Sequence, residues 1–136
     1  MIVVYAVAKY LAYSMWCYVG LRLVQPVAAN LVTAGRFGAT RWLIGLAFGI
    51  AVFFLVGPIN EPDAARTYFL VYTPVRAVEW TMMAFLINNK VIERSRSVTT
   101  MSLPLWCAGG MLVSFLTDLL SPEGLQGRFC IGRCLC

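Results

Sequence analysis

Four apolar stretches, each near the length of a bilayer-crossing helix and nearly free of charge, constrain this chain more than anything else in its sequence. A helix rises 1.5 Å per residue, so about 20 residues cover a hydrocarbon core about 30 Å thick. The stretches run from about Ile2 to Val24, Trp42 to Ile59, Thr67 to Asn88 and Val98 to Leu120. Membrane strands would instead alternate in polarity over short segments, which argues against a barrel. With 60% hydrophobic and 12% charged residues in a chain of 136, a soluble fold has too little interior to hide this much apolar surface. The expected fold is an all-α integral membrane protein, a compact bundle of four transmembrane helices with short loops. Residues 1–120 form that single domain, and 121–136 a short Cys-containing tail. The apolar run Ile2 to Ala8 has no charged segment before it and no small-residue cleavage site after it, so the first stretch reads as a retained span.

The punctuation between spans sets the connections. Gln25-Pro26 ends the first span, and the stretch Val27 to Arg41 carries Gly35, Arg36, Gly38 and Arg41. Its Val27, Leu31, Val32 and Phe37 suit a segment lying on the membrane surface. Asn60-Glu61-Pro62-Asp63 is a strong turn, making spans two and three a hairpin. The polar, basic run Asn89 to Ser97 precedes span four, and Ser121-Pro122-Glu123-Gly124 stops it. Basic residues favour the cytoplasmic side. The first connection has Arg22, Arg36 and Arg41, the third has Lys90, Arg94 and Arg96, and the second has Arg66 alone beside Glu61 and Asp63. Both termini are therefore expected on the outer, non-cytoplasmic side, with Arg128 and Arg133 of the tail pulling the other way.

The net charge of +5 sits at span ends, where it meets lipid headgroups, and forms no basic helix face, so nucleic acid is not an expected partner. The sequence has no His, which removes the usual haem ligand and the commonest zinc ligand.

Ionisable residues inside a span cost at least about 2.5 kcal/mol each on insertion scales unless satisfied, so those present are the candidate site. Arg76 and Glu79 stand three apart on one helix face, just after Pro74, which leaves the Leu70 carbonyl without its helical donor. With both termini outside, Arg76 lies about 13 Å, Glu79 about 18 Å and Lys9 about 10 Å below the outer ends of their spans. Asp118 sits just inside the outer end of span four. Lys9, Arg76, Glu79 and Asp118 thus share a depth and can form a neutral cluster joining spans one, three and four. The alternative is that Lys9 and Asp118 reach separately to the headgroups. The Arg76–Glu79 pair itself reads as a structural ion pair, a proton or ion pathway, or a contact with a partner subunit or lipid headgroup.

Gly45 and Gly49 make a small-xxx-small face suited to close helix packing. Trp42, Tyr5 and Tyr68 fit interfacial belts, whereas Trp16, Trp80 and Trp106, with Tyr10 and Tyr13 at similar depth, suit core packing or contact with a pigment or quinone. Cys17 and Cys107 lie mid-span and act as small apolar residues. Cys130, Cys134 and Cys136 form a C-x-x-x-C-x-C tail that can bind a soft metal, oxidise or accept a lipid, but three ligands without a fourth are a weak metal motif.

The stretch Arg76-Ala-Val-Glu79-Trp80 is similar to the Arg-x-x-(Asp/Glu)-Trp pattern in the third helix of microbial rhodopsins, with the expected direction of span three in agreement. The match covers five residues. That family has seven spans and a retinal-bearing Lys in the last, neither of which this chain has, so it is not assigned. The sequence contains no complete set of nucleophile, base and oxyanion donors and no cofactor motif. The expected role is an accessory or scaffolding subunit of a larger membrane complex, with lipid and other membrane subunits or further copies of the chain as partners. The alternatives are a small oligomeric transporter or channel using Arg76 and Glu79, and a soft-metal carrier using the tail cysteines.

The expected orientation is open to a direct check by thiol labelling of intact membranes. A membrane-impermeant reagent should reach Cys134 and Cys136 without permeabilisation, while cysteines introduced next to Arg36 and Arg94 stay protected. Tail labelling only after permeabilisation would reverse the orientation.

Overall fold

The computed structural model describes residues 2–24, 29–56, 64–92 and 102–121. Among these, the regular structure is entirely helical: α1 (Ile2–Val24), α2 (Leu31–Val56), α3 (Ala64–Ile92) and α4 (Ser102–Leu119). The stretches 31–55 of α2 and 65–88 of α3 are long and apolar enough to cross a membrane, and α4 is a shorter apolar helix.

The boundaries of α1 match the sequence reading, but those of α2 do not. The stretch expected to lie on the surface as a separate segment is, from Leu31 onward, the first part of one continuous helix. The cause is local. Asn30 caps the helix, its Oδ1 accepting from the Thr33 N–H at 2.7 Å and its carbonyl accepting from the Ala34 N–H at 3.0 Å. No proline follows to break the run, and the two glycines serve close packing instead of marking a turn. At Gly38 a Cβ would strike the backbone Cα of Ser14, and at Gly35 it would come within 3.1 Å of the Tyr10 hydroxyl. The helix α3 extends past its expected ends, and α4 begins at Ser102. The expected start of span four at Val98 and the tail from Pro122 onward lie outside the described residues.

Paired residues fix the directions of the helices. Lys9 meets Asp118 while Trp16 and Gly20 meet Trp106, so α1 and α4 are antiparallel. Arg76 meets Asp118 and Trp80 meets Ser114 and Gly110, which makes α3 antiparallel to α4 as well. Val52 packs with Tyr68 and Tyr72 while Arg41 meets Glu79, so α2 runs opposite to α3. Consecutive helices therefore alternate in direction, and α4 closes the bundle against α1.

Three tryptophan rings rest on three glycines and set how closely α1, α3 and α4 approach. Trp106 covers Gly20, Trp16 covers Gly109 and Trp80 covers Gly110. The first two also exchange hydrogen bonds, each indole N–H donating to the other's backbone carbonyl at 3.0 Å. An indole buried in apolar surroundings needs such a partner. Around them Tyr13, Cys17, Leu21, Phe37, Met83 and Ile87 complete the main core. The outside is apolar on every helix: Met15, Phe54, Leu70 and Leu105 are each at least 70% exposed.

The glycine seats predict an inversion of the usual helix preference. Alanine is the better helix former by about 1 kcal/mol, but a Cβ at Gly110 falls on the Trp80 ring, which is fully buried and has nowhere to retreat. Overpacking of this kind costs about 1–3 kcal/mol, so Gly110→Ala should lower the thermal midpoint in detergent. The exposed neighbour Ala108 should accept leucine with little change. Equal tolerance of the two substitutions would show that the ring does not fix the spacing.

Candidate functional site

The inward face of each helix follows the helical repeat, and charged residues occupy the same stripe as the core. In α3 the buried positions run Tyr68, Tyr72, Arg76, Glu79 and Trp80, Met83 and Ile87. In α4 they run Trp106, Gly110, Ser114, Thr117 and Asp118. In α1 they are Lys9, Tyr13, Cys17, Gly20 and Leu21, and in α2 they include Ala34, Phe37, Gly38, Arg41, Gly49 and Val52. Spacings of three and four therefore carry Lys9, Arg41, Arg76, Glu79 and Asp118 into the middle of the bundle.

Those five side chains form one continuous chain of ion pairs. Lys9 Nζ lies 2.5 Å from Asp118 Oδ1, and Arg76 Nη2 lies 2.8 Å from Asp118 Oδ2. The other arm of Arg76 donates to Glu79 Oε2 at 2.9 Å, and Arg41 Nη2 reaches the same oxygen at 2.5 Å. Each carboxylate is thus held between two bases from different helices. Hydroxyls fill part of the remaining capacity. Tyr68 donates to Asp118 Oδ2 at 2.7 Å, and Tyr5 donates to Oδ1 at 3.3 Å while accepting from Lys9 at 3.1 Å. Ser114 Oγ accepts from Arg41 Nη2 at 3.3 Å and from the Trp80 indole at 3.0 Å.

Aromatic rings cover the cations. The Arg41 guanidinium carbon lies 4.9 Å from the Tyr13 ring centre and 5.0 Å from that of Trp80, and Arg76 and Lys9 stand over Tyr72 and Tyr5 at 5.6 and 5.3 Å. Ring faces attract a guanidinium most strongly where water is excluded. Gly45 leaves room for this packing: a Cβ there would lie 3.0 Å from Arg41 Nη1 and 3.7 Å from Arg76 Nη1.

The structure brings together Lys9, Arg76, Glu79 and Asp118, the four residues singled out from the sequence. Lys9 and Asp118 pair inside the bundle and do not reach separately to its surface. The expected neutrality of the cluster is overturned by Arg41, which adds a third cation. Sequence reasoning left Arg41 in a connection because it precedes the apolar run of span two. The overlooked signal was its register, three residues after Gly38 and four before Gly45. The expected interfacial role of Tyr5 and Tyr68 is also corrected, since both hydroxyls turn inward to Asp118. Trp42 is partly buried and packs against the main core.

Of the two helix-packing glycines, Gly45 faces the charge cluster and Gly49 is buried. Cys17 and Cys107 are free thiols, buried and half-buried. Among the described residues no group of three or more His, Cys, Asp or Glu is placed to hold a metal. Cys130, Cys134 and Cys136 lie outside the described residues.

A buried ion chain of this kind should show strong energetic coupling. Removing one partner of a buried pair typically costs about 3–5 kcal/mol because the other charge is left uncompensated. Glu79→Gln leaves Arg41 without an ionic partner among the described residues, so it should be strongly destabilising. Arg41→Gln should cost less, because Arg76 still holds Glu79. The Arg41→Gln, Glu79→Gln double variant should unfold in detergent at a higher temperature than Glu79→Gln alone. Additive losses would show that the two side chains act independently.

No family model, curated protein or solved structure matches this chain, and the reading of the site rests on its own geometry.

Proposed function

We propose that the chain is a four-span membrane protein, with both termini on the outer side, that serves as an accessory or scaffolding subunit of a larger membrane complex. One observation carries the reading: the bundle encloses a paired cluster of charges within its core and is apolar outside. Its five buried ionised residues are tied to one another across all four helices, while large apolar side chains lie on the exposed surface of each helix. In water this arrangement would expose a continuous hydrophobic surface, far beyond the patches that monomeric soluble proteins tolerate. In lipid it is the favourable arrangement, because a charge inside the bilayer is stable when it faces the bundle interior and is paired.

The way the charges are held supports the scaffolding reading. A transport site needs an ionisable group that can exchange its proton or ion, whereas Asp118 is clamped between Lys9 of α1 and Arg76 of α3, and Glu79 between Arg41 of α2 and Arg76 of its own helix. Such a lattice fixes the relative positions of the helices. The apolar exterior then offers surface to lipid and to other membrane helices, which pack through shape and small residues.

The assembly extracted in mild detergent tests the role. Stable co-purification with different membrane chains is the expected outcome. A lone homo-oligomer, together with a proton or ion flux in reconstituted vesicles that a folded Glu79→Gln variant abolishes, would replace the scaffold with a transporter.

A further inference from the structure

The buried cluster has two imbalances of the same sign. Lys9, Arg41 and Arg76 supply three positive charges against two negative ones from Glu79 and Asp118, which leaves one positive charge in excess. Hydrogen bonding is unbalanced in the same sense. Arg41 Nε and Nη1, Arg76 Nε and the Tyr13 hydroxyl are buried donors with no partner among the described residues, whereas Glu79 Oε1 is the matching unpartnered acceptor. Charge and donor capacity are separate properties, and both fall short by an anionic acceptor. The two basic side chains are at most 4% exposed, and an unpaired charge or donor at such burial is costly.

Geometry indicates where the acceptor fits. The Tyr13 and Trp80 rings lie 4.9 and 5.0 Å from the Arg41 guanidinium carbon and 6.1 Å from each other, so they crowd one side of it, and its N–H donors point outward along its in-plane edge. One end of that edge, Nη2, is engaged by Glu79 and Ser114. The other end, Nη1, lies against the side-chain-free face of Gly45, which also borders Arg76 Nη1. Glu79 Oε1 stands 3.8 Å from the Cβ position at Gly45 and repels an anion there, which places the anion toward the Arg41 Nε edge. The Tyr13 ring lies over that guanidinium, and its buried hydroxyl is a further donor without a partner among the described residues.

We propose that the bundle holds a small monovalent anion of chloride size on the unpartnered Nε edge of Arg41, as the counter-charge of its buried cluster. The site is a structural counter-ion site. It goes beyond the scaffold reading and does not depend on which partners the protein has. A water molecule in the same place would serve the donors but leave the charge uncompensated, and it predicts no dependence on the anion.

The experiment is thermal unfolding of the purified protein in a non-ionic detergent, with sodium chloride or bromide exchanged for sodium gluconate at constant ionic strength. A ligand that binds only the folded state raises its stability with the logarithm of ligand concentration. The midpoint should therefore rise with chloride and with bromide and remain lower in gluconate, which is too large for the site. Arg41→Gln makes the cluster neutral, so its midpoint should be the same in chloride and gluconate. Tyr13→Phe keeps every charge and removes one donor, and it should weaken the apparent chloride affinity about fivefold. Glu79→Gln widens the excess to two positive charges and should make the chloride dependence steeper. Identical midpoints for the unmodified protein in chloride and gluconate would overturn the proposal. So would an unaltered chloride response in a folded Arg41→Gln protein or, if that variant does not fold, in Tyr13→Phe.

Discussion

The bundle depends on the double grip that its bases keep on two buried carboxylates. Each of the five charges would be expensive alone, and their mutual attraction offsets that cost only because the geometry is close and the remaining valences are partly filled by Tyr5, Tyr68, Ser114 and aromatic faces. Every link in the chain crosses between helices except the Arg76–Glu79 pair within α3. Shifting one helix by a turn would break at least one link and strand a charge. The network therefore specifies register, which apolar packing alone leaves loose.

Tryptophan and glycine supply the complementary constraint. The ion chain fixes which residues lie level with one another, and the indole–glycine seats fix how closely the helices approach. The two devices meet at Trp80. Its ring rests on Gly110 and faces Arg41, while its N–H is held by Ser114. One side chain thus links the apolar contact between α3 and α4 to the guanidinium delivered from α2. In the four-span reading this combination substitutes for the hydrophobic effect, which gives no net drive for helices to associate within lipid.

Much of the fold was legible because it is written in local terms. Apolar stretches of spanning length announced helices, Pro and Asn-rich clusters announced their ends, and α1 appears with the boundaries its composition implied. The grouping of Lys9, Arg76, Glu79 and Asp118 was legible too, since a charge in an apolar helix needs a partner and the depths matched. What the sequence obscured was the length of α2. Gly35 and Gly38 resemble loop residues until it is known that α1 passes over them, and helix-capping Asn30 resembles part of a turn until its side chain is seen on the Thr33 N–H.

Sequence alone pointed to four apolar helices whose few interior charges must find one another, and two of the four helices are long and apolar enough to span a membrane by length and composition. Tertiary structure decided which charges those are and how they sum. Arg41 enters the core because α2 begins at Leu31, capped by Asn30, and about three helical turns carry its side chain against Tyr13 and Trp80 and onto Glu79. The physical reason is that periodicity fixes which face a residue occupies, but only packing fixes what that face meets. Tyr5 and Tyr68 illustrate the point, since each has an apolar ring and a polar tip suited equally to a membrane surface or a buried carboxylate. Only the position of Asp118 on α4 selects the second.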